Sequence, residues 1–111
     1  MVTLESLRKA VETLLQSHVG PPSAKGNVQT QTVFDRAGDH YLLVNVGWVE
    51  RRRIYGTMAH IDLIGDKIWV QTDGTEEGLA FQLAEAGIPR DQIVLGYRMA
   101  EIRPHTGYAV V

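Results

Sequence analysis

His60 and Asp62, near the middle of the chain, have residue types and a spacing that would let them share a proton or a metal ion. Residues at positions i and i+2 of a β-strand point to the same side of a sheet, and residues 54–64 have the alternation of a strand. An imidazole beside a carboxylate can serve as a general base or a metal ligand. The sequence around the pair supplies no third ligand, so we expect a hydrogen-bonded pair at the margin of the core. The same alternation predicts the other residues on that face: Ile54, Gly56, Met58 and Ile64.

Three consecutive arginines, Arg51 to Arg53, form the only concentrated positive patch in the sequence. They lie between two strand patterns beside Glu50, which predicts a charged hairpin tip. Arginine clusters can bind phosphate or an acidic protein surface, but most such runs are solvated turns. The three arginines are therefore candidates for contact with a partner protein or nucleic acid.

Three acidic residues, Asp73, Glu76 and Glu77, surround a predicted helix start. Paired carboxylates can perform acid-base catalysis, but an N-cap at Thr75 and the helix dipole account for carboxylates at these positions. The sequence contains neither a phosphate-binding glycine motif nor a GxSxG nucleophile elbow. We therefore expect no catalytic residue, no metal ligand and no cofactor, and a protein that is not an enzyme.

The elements that position these residues follow from hydrophobic periodicity and turn signals. The pattern predicts an amphipathic helix at residues 4–17, strands at 28–35, 41–49, 54–64, 67–72 and 93–95, and a second helix between Thr75 and Gly87. Gly65-Asp66 favours a type II′ hairpin turn, and the polar alternation of residues 28–35 favours an edge strand. The order predicts an α+β fold with an N-terminal helix, a four-stranded mostly antiparallel meander, a helix, an additional strand and a C-terminal segment.

The strand at residues 41–49 is apolar at nearly every position. This pattern is typical of a strand that is covered on both faces or that lies at an oligomer contact. Trp48 and Trp69 are expected to anchor a core or an interface rather than to stack on a ligand. The sequence therefore allows a homo-oligomer.

Length and composition limit the class of protein. The 111 residues predict a single domain over 1–111, and the absence of cysteine favours the reducing cytoplasm. No run of apolar residues is long enough for a membrane span. A net charge of −2 lacks the positive field of a DNA-binding domain, so DNA contact is expected to be indirect or weak.

Four separated blocks of sequence resemble the XisI-like family. They are DHYLLVNVGW from Asp39, HIDLIGDKIWVQTDGTEEGLAFQL from His60, GIPRDQIVLGY from Gly87 and RPHTGYAV from Arg103. The family is named for the fdxN element excision controlling factor, which acts in the programmed removal of a DNA element in heterocyst-forming cyanobacteria. The resemblance implies an accessory role beside a separate recombinase, together with a partner called XisH.

Two main hypotheses follow from the residues and the resemblance together. The first is a non-enzymatic regulatory protein that contacts a XisH-like partner. Its candidate contact residues are Trp48, Arg51, Arg52, Arg53, Tyr97, Arg103 and Tyr108. The second is a metal-dependent or small-ligand-binding enzyme that uses His60 and Asp62, with His40 or Asp73 brought near by the fold. Weak DNA binding through Arg51 to Arg53 is a third alternative.

Overall fold

The computed structural model describes residues 3–21 and 27–111. Within these residues it has two α-helices, five β-strands and a C-terminal segment, which confirms the predicted α+β architecture. The elements are α1 (Leu4–Gln16), β1 (Asn27–Asp35), β2 (His40–Val49), β3 (Arg52–Ile64), β4 (Lys67–Asp73), α2 (Leu79–Glu85) and β5 (Ile93–Leu95). Single 3-10 turns at Arg90–Gln92 and Arg103–His105 flank β5. Neither α-helix in the described ranges has the length and apolar character needed to cross a bilayer.

The five strands form one sheet in the order β1-β2-β3-β4-β5. Short turns join β1 to β4 into an antiparallel meander, and β5 pairs parallel to β4 after the α2 crossover. β1 is at the edge of the sheet, as its polar alternation predicts. At the other edge, the Ala109 N–H donates to the Ile93 carbonyl at 2.8 Å, so the C-terminal segment covers part of β5.

Both α-helices pack on one side of the sheet, which we call the inner face. Leu7, Val11 and Leu15 form the buried stripe of α1, at the three- and four-residue spacing that the sequence shows. A helix of 13 residues is marginal in isolation. Burial of these three side chains contributes roughly 5–9 kcal/mol before entropy is counted. The sheet, α2 and Ile88 supply the rest of this core: Tyr41, Leu43, Ala59, Ile61, Leu63, Ile68, Val70, Leu79, Ala80, Leu83, Ile88, Ile93 and Leu95.

Neither α-helix covers the opposite side of the sheet, which we call the outer face, although Arg103 of the C-terminal segment stacks on Trp69 there. Alternate residues of β2 point there, and Leu42, Val44 and Val46 are half-buried. Trp48 is 49% exposed. The apolar pattern of β2 predicts either a strand covered on both faces or a strand at an oligomer contact. In the structure the α-helices cover only its inner face.

β3 contains a β-bulge at Met58. Leu43 pairs with Ala59, whereas the next residue of β2, Val44, pairs with Thr57. Because of the extra residue, Met58 packs against the core beside Ala59. Before the bulge, the odd-numbered residues of β3 point to the outer face, whereas after it the even-numbered residues do. The prediction that Ile54, Gly56 and Met58 share a face with His60 is therefore wrong.

The second helix begins three residues later than the predicted Thr75 cap, with Gly78 at the N-cap position. The Asp73 carboxylate explains the difference because it accepts from the N–H groups of both Thr75, at 2.9 Å, and Leu79, at 2.8 Å. Residues 74–78 form a bent loop between these two contacts. Glu76 and Glu77 lie in that loop and not, as predicted, in the first helical turn.

Two glycine predictions are confirmed by the backbone. Gly65 has a φ of 63°, the positive value that the first central residue of a type II′ turn needs. Gly87 has a φ of 102° just beyond α2, and Ile88 donates to the Leu83 carbonyl across it at 3.1 Å. Both elements therefore end where the sequence indicates.

Ion pairs attach α1 to the turn between β1 and β2. Arg8 binds the Asp39 carboxylate through Nε at 2.8 Å and Nη2 at 3.1 Å, and the Tyr41 hydroxyl donates to the same carboxylate at 2.9 Å. The Arg8 hydrogen bond holds the pKa of Asp39 below its usual value against the opposing effect of burial. Arg36 binds Glu5 and Glu12 of α1 at 3.0 and 2.7 Å.

We expect Asp39→Asn to lower the melting temperature by roughly 5–10 °C at neutral pH, because charge-assisted hydrogen bonds are lost. Asparagine tolerates the φ of 57° at this position, so the backbone need not change. Circular dichroism melting measures the effect, with the exposed Asp91→Asn as the matched control. An unchanged melting temperature in Asp39→Asn would contradict this role.

The same variant tests the pH dependence of stability. Since the folded pKa of Asp39 is below the unfolded value of 3.8, the carboxylate stabilises the fold above that pH. This contribution is lost as pH falls through the lowered folded pKa. The difference in melting temperature between the native protein and Asp39→Asn should therefore shrink between roughly pH 5 and pH 2. A constant difference over this range would argue against titration of Asp39.

Candidate functional site

A polar cluster, which we call the triad, lies at one end of the outer face and consists of His40, His60 and Asp62. β2 and β3 position it by pairing His40 with Asp62 and Leu42 with His60. The sequence prediction that His60 and Asp62 share a face is correct. Of the two residues that the enzyme hypothesis adds, the fold brings His40 into the cluster, while Asp73 instead binds the backbone before α2.

Both imidazoles of the triad converge on one carboxylate oxygen. His40 Nδ1 lies 2.6 Å and His60 Nε2 lies 2.7 Å from Asp62 Oδ1. The ring centroids are 6.2 Å apart with an interplanar angle of 74°, so the rings approach the oxygen from different directions. The side chain of Asp62 is 14% exposed, and those of His60 and His40 are 33% and 53% exposed. The triad is therefore a carboxylate at the base of a cluster whose imidazoles reach solvent.

Gln71 holds the second oxygen of the Asp62 carboxylate. Its Nε2 donates to Asp62 Oδ2 at 3.1 Å. Gln71 is the unpaired residue of a second β-bulge, because His60 pairs with Thr72 while Ile61 pairs with Val70. Bulges of this kind change the direction of a side chain beside a site. The sequence analysis did not identify Gln71, although the Gly65-Asp66 turn places residue 71 opposite His60 in a regular hairpin.

The turn before β2 has a glycine where a side chain would collide with the His40 ring. A Cβ at Gly38 would lie 2.8 Å from Asp35 Oδ2 and 2.9 Å from His40 Cδ2, so no other residue type fits there without movement. Asp35 is also the cross-strand partner of His40 at the edge of the sheet. The negative charge of Asp35 therefore acts on the His40 ring and favours its protonated form.

The hydrogen bonds shift the charge states of the triad. The Asp62 hydrogen bond raises the pKa of His40. Burial raises the pKa of Asp62, but hydrogen bonds from His40, His60 and Gln71 outweigh burial and lower it overall. Asp62 is thus an ionised carboxylate at neutral pH, in contact with two imidazoles.

The triad does not adjoin the concavity between α1 and β1. That concavity, of about 620 Å³, is lined by Glu12 and Gln16 of α1 and by Phe34, which lies on the inner face opposite Tyr41. A small molecule bound in this concavity would not contact the triad. The arrangement at the triad resembles an open ion site more than an enclosed substrate pocket.

The three arginines of the predicted tip are all exposed, with Arg51 in the turn and Arg52 and Arg53 opening β3. We call Arg51 to Arg53 the arginine tip. The Arg53 guanidinium lies 5.2 Å from the centre of the Trp48 ring. Tyr55, on the same face of β3, is 72% exposed. The far end of the outer face therefore presents two large aromatic side chains and Arg53, with Arg51 in the adjoining turn.

The three candidate contact residues of the C-terminal segment differ in their surroundings. Tyr97 is 45% exposed beneath Arg98. Arg103 stacks 5.1 Å from the Trp69 ring centre and donates to the Arg98 carbonyl at 3.0 Å, so it holds the segment against the sheet. Tyr108 packs against the core. Tyr97 is thus the most exposed of these three side chains.

Comparisons with known proteins agree with the resemblance seen in the sequence. The family model for XisI protein matches residues 1–110. The chain is 34% identical to a XisI-like protein from Anabaena variabilis ATCC 29413 over 96% of its length and 94% of that chain, with a TM-score of 0.78. No curated protein sequence matches it.

A second solved structure has the same fold. It is the fdxN element excision controlling factor XisI from Anabaena variabilis ATCC 29413, with 24% identity and a TM-score of 0.75. The match covers 95% of this chain and 96% of that one. Because the family model and the 34% identical relative each extend over nearly all of the sequence, the chain belongs to the XisI family.

Proposed function

We propose that this protein is a non-enzymatic accessory factor that controls excision of a DNA element through contact with a XisH-like protein. Family membership supports the excision role, since one structural neighbour is an fdxN element excision controlling factor. The protein acts in the cytoplasm, in complex with this partner. Cutting and rejoining of DNA belong to a separate recombinase.

The observation that carries the contact model is the exposure of the outer face. Val33 and Trp48 are each 49% exposed and Tyr55 is 72% exposed on a side of the sheet that neither helix covers. Clustered apolar exposure of this kind marks interaction sites in soluble proteins. Tryptophan, tyrosine and arginine are also the residues that most often dominate binding energy at interfaces.

The arginine tip gives this surface an electrostatic preference. Arg53 lies over the Trp48 ring, Arg51 and Arg52 are exposed in the adjoining turn and first strand position, and Glu50 is the adjacent acidic residue. A partner surface with carboxylates opposite Arg51 to Arg53 and an apolar pocket for Trp48 matches both features. Arg53 already lies over the Trp48 ring, which restricts the movement of both side chains before binding. The partner that fits is therefore acidic around an apolar centre.

We expect Trp48→Ala to weaken binding to the XisH-like protein by roughly 30-fold, equivalent to about 2 kcal/mol for an anchor residue. Titration calorimetry with the two purified proteins measures this change. Phe81→Ala is the matched control, because Phe81 is 50% exposed on α2 and thus equally accessible on the helical side. If the two proteins do not associate at micromolar concentration, or if both variants weaken binding equally, the contact model is wrong.

Alanine at Arg51, Arg52 and Arg53 together distinguishes partner binding from direct DNA binding. We expect this triple variant to weaken association with the XisH-like protein, and the native protein alone to show no measurable binding to duplex DNA at physiological salt. Three phosphate contacts would instead give a slope of log K against log salt of about −2.7. Fluorescence anisotropy with labelled duplex at several salt concentrations measures this slope. A slope near that value, abolished in the triple variant, would favour the DNA-binding alternative.

A further inference from the structure

We propose that His40, His60 and Asp62 bind one divalent first-row transition-metal ion, with Zn²⁺ as the best-fitting example. This inference is separate from the role proposed above. One ring nitrogen of His40, one of His60 and one Asp62 carboxylate oxygen lie within 4.8 Å of one another. They provide three donors from two adjacent strands, and further coordination positions face solvent.

The donor types determine the class of ion. Two imidazoles and one carboxylate suit zinc, iron, nickel or copper, whereas magnesium and calcium prefer sites made of oxygen ligands. Structural zinc sites usually have four protein ligands, and sites with three protein ligands leave a position for water or another group. The triad therefore matches an open site.

A small movement of side chains converts the triad into a metal site. Each imidazole nitrogen now lies 2.6 or 2.7 Å from Asp62 Oδ1, which is a hydrogen-bond distance. Ligands at the usual zinc distances, about 2.0–2.1 Å, are separated from one another by roughly 3.3 Å in a tetrahedral arrangement. The distance from each imidazole nitrogen to Asp62 Oδ1 must therefore grow by roughly 0.6 Å. His40, whose side chain is 53% exposed, has the space to make this movement.

Residues around the triad are placed like those that orient the ligands of metal sites. Gln71 binds Asp62 Oδ2 and so leaves Oδ1 directed at the two imidazoles. Asp35 is the cross-strand neighbour of His40, and a carboxylate near a metal-binding histidine can help to orient it. Neighbouring side chains on the outer face, Leu42 and Val33, are apolar. The two imidazoles now share a proton each with Asp62 in hydrogen bonds. Because the three donors lie beside an apolar surface, a bound metal ion could replace these two protons.

Zinc titration of the tag-free, chelator-treated protein tests the site. We expect one Zn²⁺ per chain by calorimetry, and an unchanged affinity in excess Mg²⁺. His40→Ala, His60→Ala and Asp62→Asn should each weaken binding by more than about 100-fold, and Gln71→Ala by about 10-fold. His105→Ala is the matched control, because His105 is exposed and lies in a different part of the fold. The absence of stoichiometric uptake, or equal affinities for His60→Ala and His105→Ala, would overturn the proposal.

A second measurement uses only the native protein and does not depend on how the variants fold. The chain has four histidines, His18, His40, His60 and His105. In nitrogen-15 spectra of the imidazoles, Zn²⁺ should shift the ring signals of two histidines and leave the other two in place. Shifts spread over all four, or confined to His18 and His105, would contradict the assignment of the site.

Discussion

The bulge at Met58 determines that His60 and Asp62 lie on the same side of the sheet as His40. The turn between β2 and β3 pairs Val49 with Arg52, and a regular ladder from that turn would pair His40 with Ile61. The extra residue shifts the register, so His40 pairs with Asp62. Without it, Ile61 would face outward, and Asp62 would be turned into the core.

The register also depends on how α1 is held. Ala59, Ile61 and Leu63 are buried beneath the two helices, and this burial penalises any slip of β3 by one residue. The Arg8–Asp39 ion pair fixes α1 directly beside the start of β2, next to His40. Charge pairing at one end of the helix and apolar packing along it therefore keep the inner face covered. The outer face stays uncovered by the α-helices because both pack on the other side.

Local signals in the sequence predict much of this fold. Contacts between residues that are distant in the sequence are harder to predict. The Gly65-Asp66 turn and the Leu7–Val11–Leu15 stripe each depend on residues close in sequence, so both are predicted correctly. The start of α2 is predicted wrongly, because the Asp73 carboxylate holds the loop that delays it. His40 joins a pair that lies 20 and 22 residues further along the chain. A bulge has no distinctive sequence pattern here, so no local rule could establish that register.

The two candidate binding surfaces lie at opposite ends of one sheet face. His40 and Trp48 are eight residues apart on β2, a separation of roughly 26 Å in an extended strand. A standard protein interface buries about 800 Å² on each partner and is roughly 30 Å across. One partner centred on Val44 would therefore cover both ends, whereas one centred on the arginine tip would leave the triad in solvent. In the first case an ion at the triad and the partner protein touch each other, and any preference of the partner for the metal-bound form raises metal affinity by the same factor. In the second case the two equilibria are independent, so the location of the interface decides whether an ion could regulate the proposed complex.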